Sequence, residues 1–140
     1  MTLSRHTLRW LSVVLVALVT GWLSLERVDT APQHTAAAAS LTWSKLPTEG
    51  QQVGAQIAQG GPFRFEKDGS VFGNRERLLP GHKRGYYREY TVPTPGLNHR
   101  GARRIVCGGL QPQAPDVCFY SDDHYSSFRP IQGQLPQRSR

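Results

Sequence analysis

The alternation of side chains from Tyr86 to Val92 is typical of a β-strand, because aromatic and β-branched residues favour a pleated, half-buried surface. The next stretch, Pro93–Gly101, contains two prolines, two glycines and Asn98, which together indicate a turn. Arg103–Cys107 is predicted to form a second strand that pairs back on the first. A β-hairpin is therefore expected at the centre of the folded domain.

Leu46–Gly60 is the one good helix candidate in the domain. Pro47 suits the first turn of a helix, where its missing N–H group is not needed. Leu46, Val53 and Ile57 recur at a spacing that gives a helix one apolar stripe, and two consecutive glycines end the pattern. The helix is expected to lie across one face of a sheet.

Shorter β-like segments complete the pattern. Phe63–Phe65 and Val71–Phe72 flank a predicted tight turn at Lys67–Gly69, Val117–Ser121 is predicted to pair on the second hairpin strand, and a last strand is expected around Ser127–Ile131. One helix followed by several antiparallel strands predicts an α+β fold, with a short N-terminal helix on one face of the sheet. The other face stays open and is the expected place for an active site.

The N-terminal segment Met1–Leu25 indicates targeting and is left out of the fold prediction. Arg5 and Arg9 precede the uncharged, mostly apolar run Trp10–Leu25. A cleaved secretory signal and an uncleaved membrane anchor both fit this pattern. Both interpretations place the remainder outside the cytoplasm, because the two arginines hold the N-terminus inside.

Residues 26–42 are predicted to be a linker, 43–132 a single folded domain and 133–140 a basic tail. The net charge of the 140-residue chain is +7. Leaving out Met1–Ala39 removes three basic and two acidic residues, so the positive charge belongs to the domain itself. A basic domain of this kind favours polyanionic partners such as RNA, DNA or anionic lipid.

The two cysteines, Cys107 and Cys118, have different expected states in different compartments. In a cytosolic protein they would be free thiols, whereas in an exported protein a single disulfide across a hairpin is expected. Two thiols with no nearby pair of histidines argue against a metal site, and no cofactor is expected.

The hairpin carries an unusual set of polar residues. Pairing its strands can bring Glu89 onto the face that carries Arg100 and Arg104, while Arg103 points to the opposite face. A carboxylate beside two guanidiniums can be a plain ion pair of the sheet. It is also what cleavage of a phosphodiester needs, which is a base to take a hydroxyl proton and cations to hold the phosphate.

Four segments carry a specific resemblance. They are, in chain order, DGSVFGNRE (Asp68–Glu76), YYREYTVPTPG (Tyr86–Gly96), RGARRIVCGG (Arg100–Gly109) and DDHYSSF (Asp122–Phe128). Together they resemble the guanyl-specific microbial ribonucleases, the barnase-like family of secreted bacterial enzymes. The fold that this resemblance implies is a short N-terminal helix packed on a twisted antiparallel sheet, which agrees with the pattern above.

The resemblance also implies roles for individual residues. Glu89 resembles the general base, His124 the general acid, and Arg100 and Arg104 the arginines that bind the phosphate. The residues that resemble the guanine-binding part of the site are Phe72, Asn74, Arg75, Glu76 and Tyr125. Taken alone, His124 would be interpreted as a surface residue and Glu76 as part of an exposed ion pair, so the assignment depends on their joint occurrence.

The function implied by the resemblance is that of an exported, metal-independent endoribonuclease. It would cleave single-stranded RNA 3′ to guanosine through a 2′,3′-cyclic phosphate. Two alternatives stay open, namely a non-catalytic basic module that binds RNA or another polyanion, and a toxin with the same chemistry and an immunity partner. A monomer is expected, and the family includes members that bind a small acidic inhibitor resembling barstar.

Overall fold

The computed structural model of the protein describes residues 39–137. The proposed signal segment, most of the linker and the last three residues lie outside this range, and the predictions made for them stay predictions. None of the helices within residues 39–137 has the length and apolar character that a bilayer-spanning segment needs. In chain order the elements are strand β1 (Leu41–Thr42), a 3₁₀ turn (Trp43–Lys45), helix α1 (Thr48–Gln59) and strands β2 (Tyr87–Thr91), β3 (Arg104–Gly108), β4 (Val117–Ser121) and β5 (Arg129–Gln132).

The strands form one sheet in the order β1-β5-β4-β3-β2. Strands β2 to β5 are antiparallel neighbours, whereas β1 runs parallel to β5, with Leu41 opposite Ile131. The predicted α+β class is confirmed, and residues 39–137 contain the one predicted α-helix. The sheet is mixed rather than purely antiparallel, because Leu41 and Thr42, assigned to the linker from the sequence, form its edge strand.

Helix α1 has the end signals that its sequence predicts. Pro47 lies at the N-cap, directly before the helix, rather than in the predicted first turn, and Gly60 adopts a left-handed conformation with φ of +77° at the C-cap. The core between α1 and the sheet consists of Trp43, Leu46, Val53, Ile57, Tyr90, Val92, Ile105, Cys107, Cys118, Tyr120 and Ile131. Ile57 and Ile105 are 1% and 0% exposed, and burial of each side chain contributes roughly 1.5–3 kcal/mol.

Alternation along β2 divides its side chains between the two faces of the sheet. Tyr90 packs toward the helix, whereas Tyr87 joins a smaller apolar cluster on the other face with Leu79, Val106 and Phe119. Glu89, two residues from Tyr87, shares this second face. The predicted placement of the helix on one face and the candidate site on the other is therefore confirmed.

The disulfide predicted for an exported protein is present between Cys107 and Cys118. The two residues are directly opposite in the pairing of β3 with β4, and their Cα atoms are 4.1 Å apart. Closing a loop of this sequence separation, 11 residues, stabilises the fold by roughly 3 kcal/mol in the chain-entropy model. Both cysteines belong to the core beneath α1. The disulfide therefore links β3 to β4 on the face of the sheet opposite the candidate site.

The C-terminal segment differs from the frayed tail expected from sequence. The indole N–H of Trp43 donates to the carbonyl of Gly133 over 3.3 Å, and Leu135 packs on the core. Pro136 comes so close to Gly54 of α1 that a Cβ at Gly54 would lie 2.8 Å from the proline ring. Residues 133–136 therefore belong to the folded domain.

Two smaller predictions were wrong in detail. Phe63–Phe65 is not a strand, because Asp68 draws this segment into a turn through a bond from the Phe65 N–H to its carboxylate. Val71 makes only an isolated bridge with Arg88.

Candidate active site

Glu89 lies in the middle of β2, and its backbone is fixed on both sides. Its N–H donates to the carbonyl of Ser70 over 3.0 Å, and its carbonyl accepts from the N–H of Gly69 over 2.8 Å. Its partner in β3 is Val106, a fully buried residue. The Glu89 side chain is only 15% exposed. The strand therefore fixes the orientation of the carboxylate before any ligand binds.

Arg100 holds one oxygen of this carboxylate. Its Nη2 donates to Oε1 of Glu89 over 3.3 Å, and its Nε donates to the Thr91 hydroxyl over 2.9 Å. The side chain is 28% exposed, and a guanidinium carries five N–H donors. Arg100 therefore keeps donors available for an anion while it stays attached to Glu89.

Asp68 is a residue of this site whose role was missed from the sequence. Its side chain is 3% exposed, accepts from the N–H groups of Thr91 and Phe65, and lies 3.9 Å from Arg100 Nη2. It ties the turn before β2 to the strand and adds negative charge behind Arg100. The DGS segment indicates a turn at this position, but no local pattern shows which backbone groups a turn carboxylate will bind.

Arg104 is almost fully enclosed, with 2% of its surface exposed. Its Nη1 donates to the carbonyls of Gly101 and Arg103 over 2.9 and 2.8 Å, and its Nε donates to the hydroxyl of Tyr125 over 2.9 Å. Within residues 39–137 its Nη2 makes no hydrogen bond, and no fully buried side-chain nitrogen or oxygen there lacks a partner. Nη2 is therefore the nitrogen of this guanidinium whose donors are not used by described residues.

Tyr125 connects Arg104 to the carboxylate. Its hydroxyl accepts from Arg104 and donates to Oε2 of Glu89 over 2.6 Å. Burial raises the pKa of the Tyr125 phenol, and the hydrogen bond to Glu89 raises it further, so the hydroxyl keeps its proton and acts as a donor. Both oxygens of Glu89 are thus held, one by Arg100 and one by Tyr125.

His124 directly precedes Tyr125 in a sharp bend after β4. Both residues have positive φ values, +57° and +69°, which non-glycine residues adopt only when their surroundings hold them there. The N–H of His124 donates to the carbonyl of Ala102, two residues before Arg104, over 3.2 Å. The imidazole is exposed and makes no hydrogen bond with the rest of residues 39–137, so both ring nitrogens are open to a ligand.

Asp123 holds this bend together. Its carboxylate accepts from the hydroxyls of Ser121 and Ser127 over 2.9 and 2.6 Å, and from the Ser127 N–H over 3.0 Å. The Ser121 hydroxyl in turn accepts from the N–H of Tyr125 over 2.9 Å. The bonds from Ser127 are the largest cause that lowers the pKa of Asp123 from 3.8 to about 2.

A lowered pKa makes the stability that Asp123 provides depend on pH. The contribution is complete above about pH 4 and is lost as the pH falls toward 2, because the unfolded chain binds the proton first. We expect Asp123→Asn to have a lower urea midpoint than the native protein at pH 7, with a difference that shrinks between pH 4 and 2. The matched control is Asp122→Asn, which breaks only an exposed pair with Arg129 and should change stability by less than about 0.5 kcal/mol. A difference that stayed constant with pH would contradict this role of the carboxylate.

The 72–76 loop is held beside β2. The N–H of Phe72 donates to the carbonyl of Tyr87 over 2.9 Å, and the Phe72 ring stacks on that of Tyr125 with centroids 5.3 Å apart. The side-chain amide of Asn74 donates to the carbonyl of Leu79 over 2.9 Å and accepts its N–H over 3.1 Å. The Asn74 side chain therefore closes the loop, and the backbone N–H groups of Asn74 and Arg75, which have no partner among the described residues, are left for any contact with a ligand.

Arg75 and Glu76 project from this loop and are exposed. Their side chains form no hydrogen bond or ion pair in the part of the chain that the structure describes. A single cleft of about 780 Å³ is lined by residues 72–76 together with Glu89 and Arg100. Arg104, Tyr125 and His124 do not line it themselves. Tyr125 is hydrogen-bonded to Glu89, Arg104 is hydrogen-bonded to Tyr125, and the His124 ring lies beside that of Tyr125, with centroids 5.1 Å apart.

The candidate residues thus fall into two connected groups, one around Glu89 and one in the 72–76 loop. The first can take up a proton and hold an oxyanion, and the second presents a free carboxylate. Among residues 39–137, no three His, Cys, Asp or Glu side chains come together as a metal site.

The chain belongs to the ribonuclease family, whose model, described as ribonuclease, matches residues 29–132. The resemblance drawn from the four sequence segments is thereby confirmed. Guanyl-specific ribonuclease Sa3 of Kitasatospora aureofaciens is 49% identical over 89 residues, which are 64% of this chain and 60% of that protein. Guanyl-specific ribonuclease Sa of the same organism is 47% identical over 85 residues, or 61% of this chain and 84% of that protein.

Solved structures agree in fold and sequence. A crystal structure of ribonuclease Sa2 with guanosine-2′-cyclophosphate has a TM-score of 0.60 and 44% identity, covering 67% of this chain and 96% of that chain. A structure of ribonuclease Sa2 in complexes with mononucleotides has a TM-score of 0.63 at 44% identity, covering 69% of this chain and 96% of that chain.

Proposed function

We propose that the protein is an endoribonuclease that cleaves single-stranded RNA 3′ to guanosine, without a metal ion, through a 2′,3′-cyclic phosphate. The observation that carries the proposal is the Glu89 carboxylate, held between Arg100 and Tyr125 in the same cleft as the free carboxylate of Glu76. Membership of the ribonuclease family and similarity to proteins named guanyl-specific ribonucleases support it.

In the first step Glu89 acts as the general base. A ribose 2′-hydroxyl is a poor nucleophile until a carboxylate removes its proton. Arg100 and Tyr125 each donate one hydrogen bond to this carboxylate, and its two oxygens together offer about four acceptor positions. Glu89 can therefore accept the 2′-hydroxyl without leaving its partners.

Arg100 and Arg104 stabilise the negative charge that develops on the phosphoryl oxygens. The attack of the 2′-oxygen creates a pentacoordinate phosphorane with added negative charge on its equatorial oxygens. Arg100 keeps donors beyond those used for Glu89 and Thr91, and the Nη2 of Arg104 makes no hydrogen bond within residues 39–137. Because Arg104 is already anchored by backbone carbonyls, it needs no reorganisation when the charge appears.

His124 is the general acid that protonates the departing 5′-oxygen. An imidazolium is the side-chain acid that most readily gives up a proton in the physiological pH range, so it is suited to this transfer. The bend built by Asp123 places His124 beside Tyr125, which contacts Glu89 directly. Water then opens the cyclic phosphate with the two roles exchanged, and DNA is not cut because it lacks the 2′-hydroxyl. No step in this sequence requires a metal ion.

Guanine selection follows from the donors on the base. Its Watson–Crick edge presents a ring N–H and an amino group side by side, and one carboxylate can accept from both. Glu76 is exposed and forms no ion pair within residues 39–137, so it is available for this bidentate contact. Backbone N–H groups of Asn74 and Arg75 serve the carbonyl oxygen of guanine, and Phe72 contributes apolar contact. Adenine lacks the paired donors and would leave the carboxylate poorly matched.

The proposal is tested with four dinucleotides that differ only in the base 5′ to the scissile bond. We expect the guanosine substrate to be cleaved at least about 100-fold faster than the others, in excess chelator, with a 2′,3′-cyclic phosphate as the first product. Chromatography of the products with time measures both rate and intermediate. Binding without any cleavage would instead support a non-catalytic polyanion-binding module, and equal rates on all four would contradict the role of Glu76.

The cellular context of the proposed enzyme rests on the sequence. Export from the cytoplasm is proposed from the apolar N-terminal segment and agrees with the disulfide. Membrane anchoring, a monomeric state and a barstar-like inhibitor stay predictions.

A further inference from the structure

The cleft is also lined by basic residues that have no role in the proposed reaction. His82, Lys83 and Arg84, named here the basic loop, lie between the 72–76 loop and β2. All three line the same cleft as Glu76 and Glu89. The charged residues that line the cleft are five basic and two acidic ones, namely Lys67, Arg75, Lys83, Arg84 and Arg100 against Glu76 and Glu89.

The charges of the basic loop are available to a ligand. Lys83 and Arg84 are exposed, and the ion pairs found within residues 39–137 involve only Arg100 and Arg129 as cations. Neither side chain makes a hydrogen bond to another described residue. Two adjacent cations without a carboxylate partner, in the wall of a cleft, create a local potential that attracts anions.

The basic loop is also held in place. The His82 ring stacks on Tyr86 with centroids 3.7 Å apart and planes 10° from parallel. The N–H of Tyr86 donates to the carbonyl of Lys83 over 3.2 Å, and the Tyr87 hydroxyl donates to the carbonyl of Pro80 over 2.9 Å. Because these contacts hold the loop to Tyr86 and Tyr87 at the start of β2, less conformational entropy is lost when it binds a ligand.

The cleft has room for more than one nucleoside. Its volume of about 780 Å³ is in the upper part of the roughly 300–1,000 Å³ range of pockets that enclose a drug-sized ligand. The scissile phosphate is assigned to Arg100 and Arg104, and the base to the 72–76 loop. An RNA strand carries one further phosphate per nucleotide, and the basic loop provides two adjacent cations of the same cleft that have no assigned role.

We propose that Lys83 and Arg84, with His82 fixed beside them, form a subsite for an RNA phosphate other than the scissile one. This inference rests on the proposed ribonuclease function and adds a preference for oligonucleotides over dinucleotides. Arginine and lysine are both suited to phosphate, and each contact releases condensed counterions, so binding through this subsite depends on salt.

The test compares two double variants of the full chain. Lys83→Ala with Arg84→Ala removes the subsite, and Lys45→Ala with Arg64→Ala removes two exposed cations that do not line the cleft. The substrates are a guanosine dinucleotide and a hexanucleotide with one guanosine at its third position. We expect the ratio of kcat/KM for hexanucleotide over dinucleotide to fall about tenfold in the first variant and to be retained in the control. An equal ratio in both variants would overturn the subsite.

A binding measurement tests whether the subsite exists without requiring cleavage of the RNA. The probe is the same hexanucleotide with 2′-deoxyguanosine at the cleavage position, titrated at several salt concentrations. We expect the slope of log Kd against log salt to decrease by roughly 0.7 for each phosphate that the subsite variant no longer binds. An unchanged slope would reject the subsite, whereas failure of the native protein to cleave RNA would reject only the proposed activity.

Discussion

Glu89→Gln and His124→Ala are each expected to lower kcat/KM on a guanosine dinucleotide by about 10²–10⁴-fold. Gln keeps the shape of Glu89, and its amide oxygen can still accept from one of the two donors, Arg100 or Tyr125, but it cannot take the 2′-hydroxyl proton. His124 is exposed, and its removal leaves the leaving group without an acid. Steady-state kinetics at neutral pH and a urea unfolding curve for each variant separate catalysis from folding.

Glu66 provides a matched control for the substitution of the carboxylate. Glu66 is exposed and does not line the cleft, so Glu66→Gln should retain activity within about twofold. Because base and acid act in one step, the double variant should be little slower than the slower single variant. Near-native cleavage by both single variants would show that the base and acid are other residues.

Arg104→Lys is expected to lower kcat by about 10²–10³-fold although the positive charge is retained. The guanidinium binds two backbone carbonyls and Tyr125 with different nitrogens and still has a free donor, whereas one ammonium cannot reach all these positions. The buried carbonyls that lose their donor should also reduce the free energy of unfolding by roughly 1–3 kcal/mol. Single-turnover rates and urea unfolding measure the two effects.

Arg103→Lys is the matched control for this substitution. Arg103 precedes Arg104 in the chain but lies on the helix side of the sheet, in a cavity lined also by Leu46 and Tyr120. We expect its activity to stay within about twofold of native. If Arg104→Lys behaved like Arg103→Lys, the buried guanidinium would have a structural role only.

The hairpin and the helix could be predicted because their signals are local. The alternation of β2, the proline and glycine ends of α1 and the turn between the hairpin strands depend on neighbouring residues. The predicted helix Leu46–Gly60 exceeds the observed Thr48–Gln59 only at its ends. The Cys107–Cys118 pairing followed from the predicted strand pairing.

The parts that were missed depend on contacts distant in sequence. Strand β1 has only two residues, which is too short for an alternating pattern to be recognised. It forms because the edge of β5 is available for pairing. Leu135 and Pro136 are apolar residues in a basic segment, and only the finished helix gives them a surface to pack on. Asp68 and Asp123 are short acidic residues in turns. The sequence does not show which N–H groups will donate hydrogen bonds to their carboxylates.

The residues proposed to select the RNA lie in loops, whereas two of the residues proposed to carry out the reaction lie in strands. This difference affects how such proteins can diversify. The residues proposed to meet the base and the additional phosphate lie in the 72–76 loop and the basic loop, whereas Glu89 and Arg104 are embedded in paired strands. Exposed loop positions tolerate exchange far better than strand positions that are packed on both sides. Descendants of this chain can therefore drift in which RNA they select while Glu89 and Arg104, the two reacting groups fixed in strands, are retained.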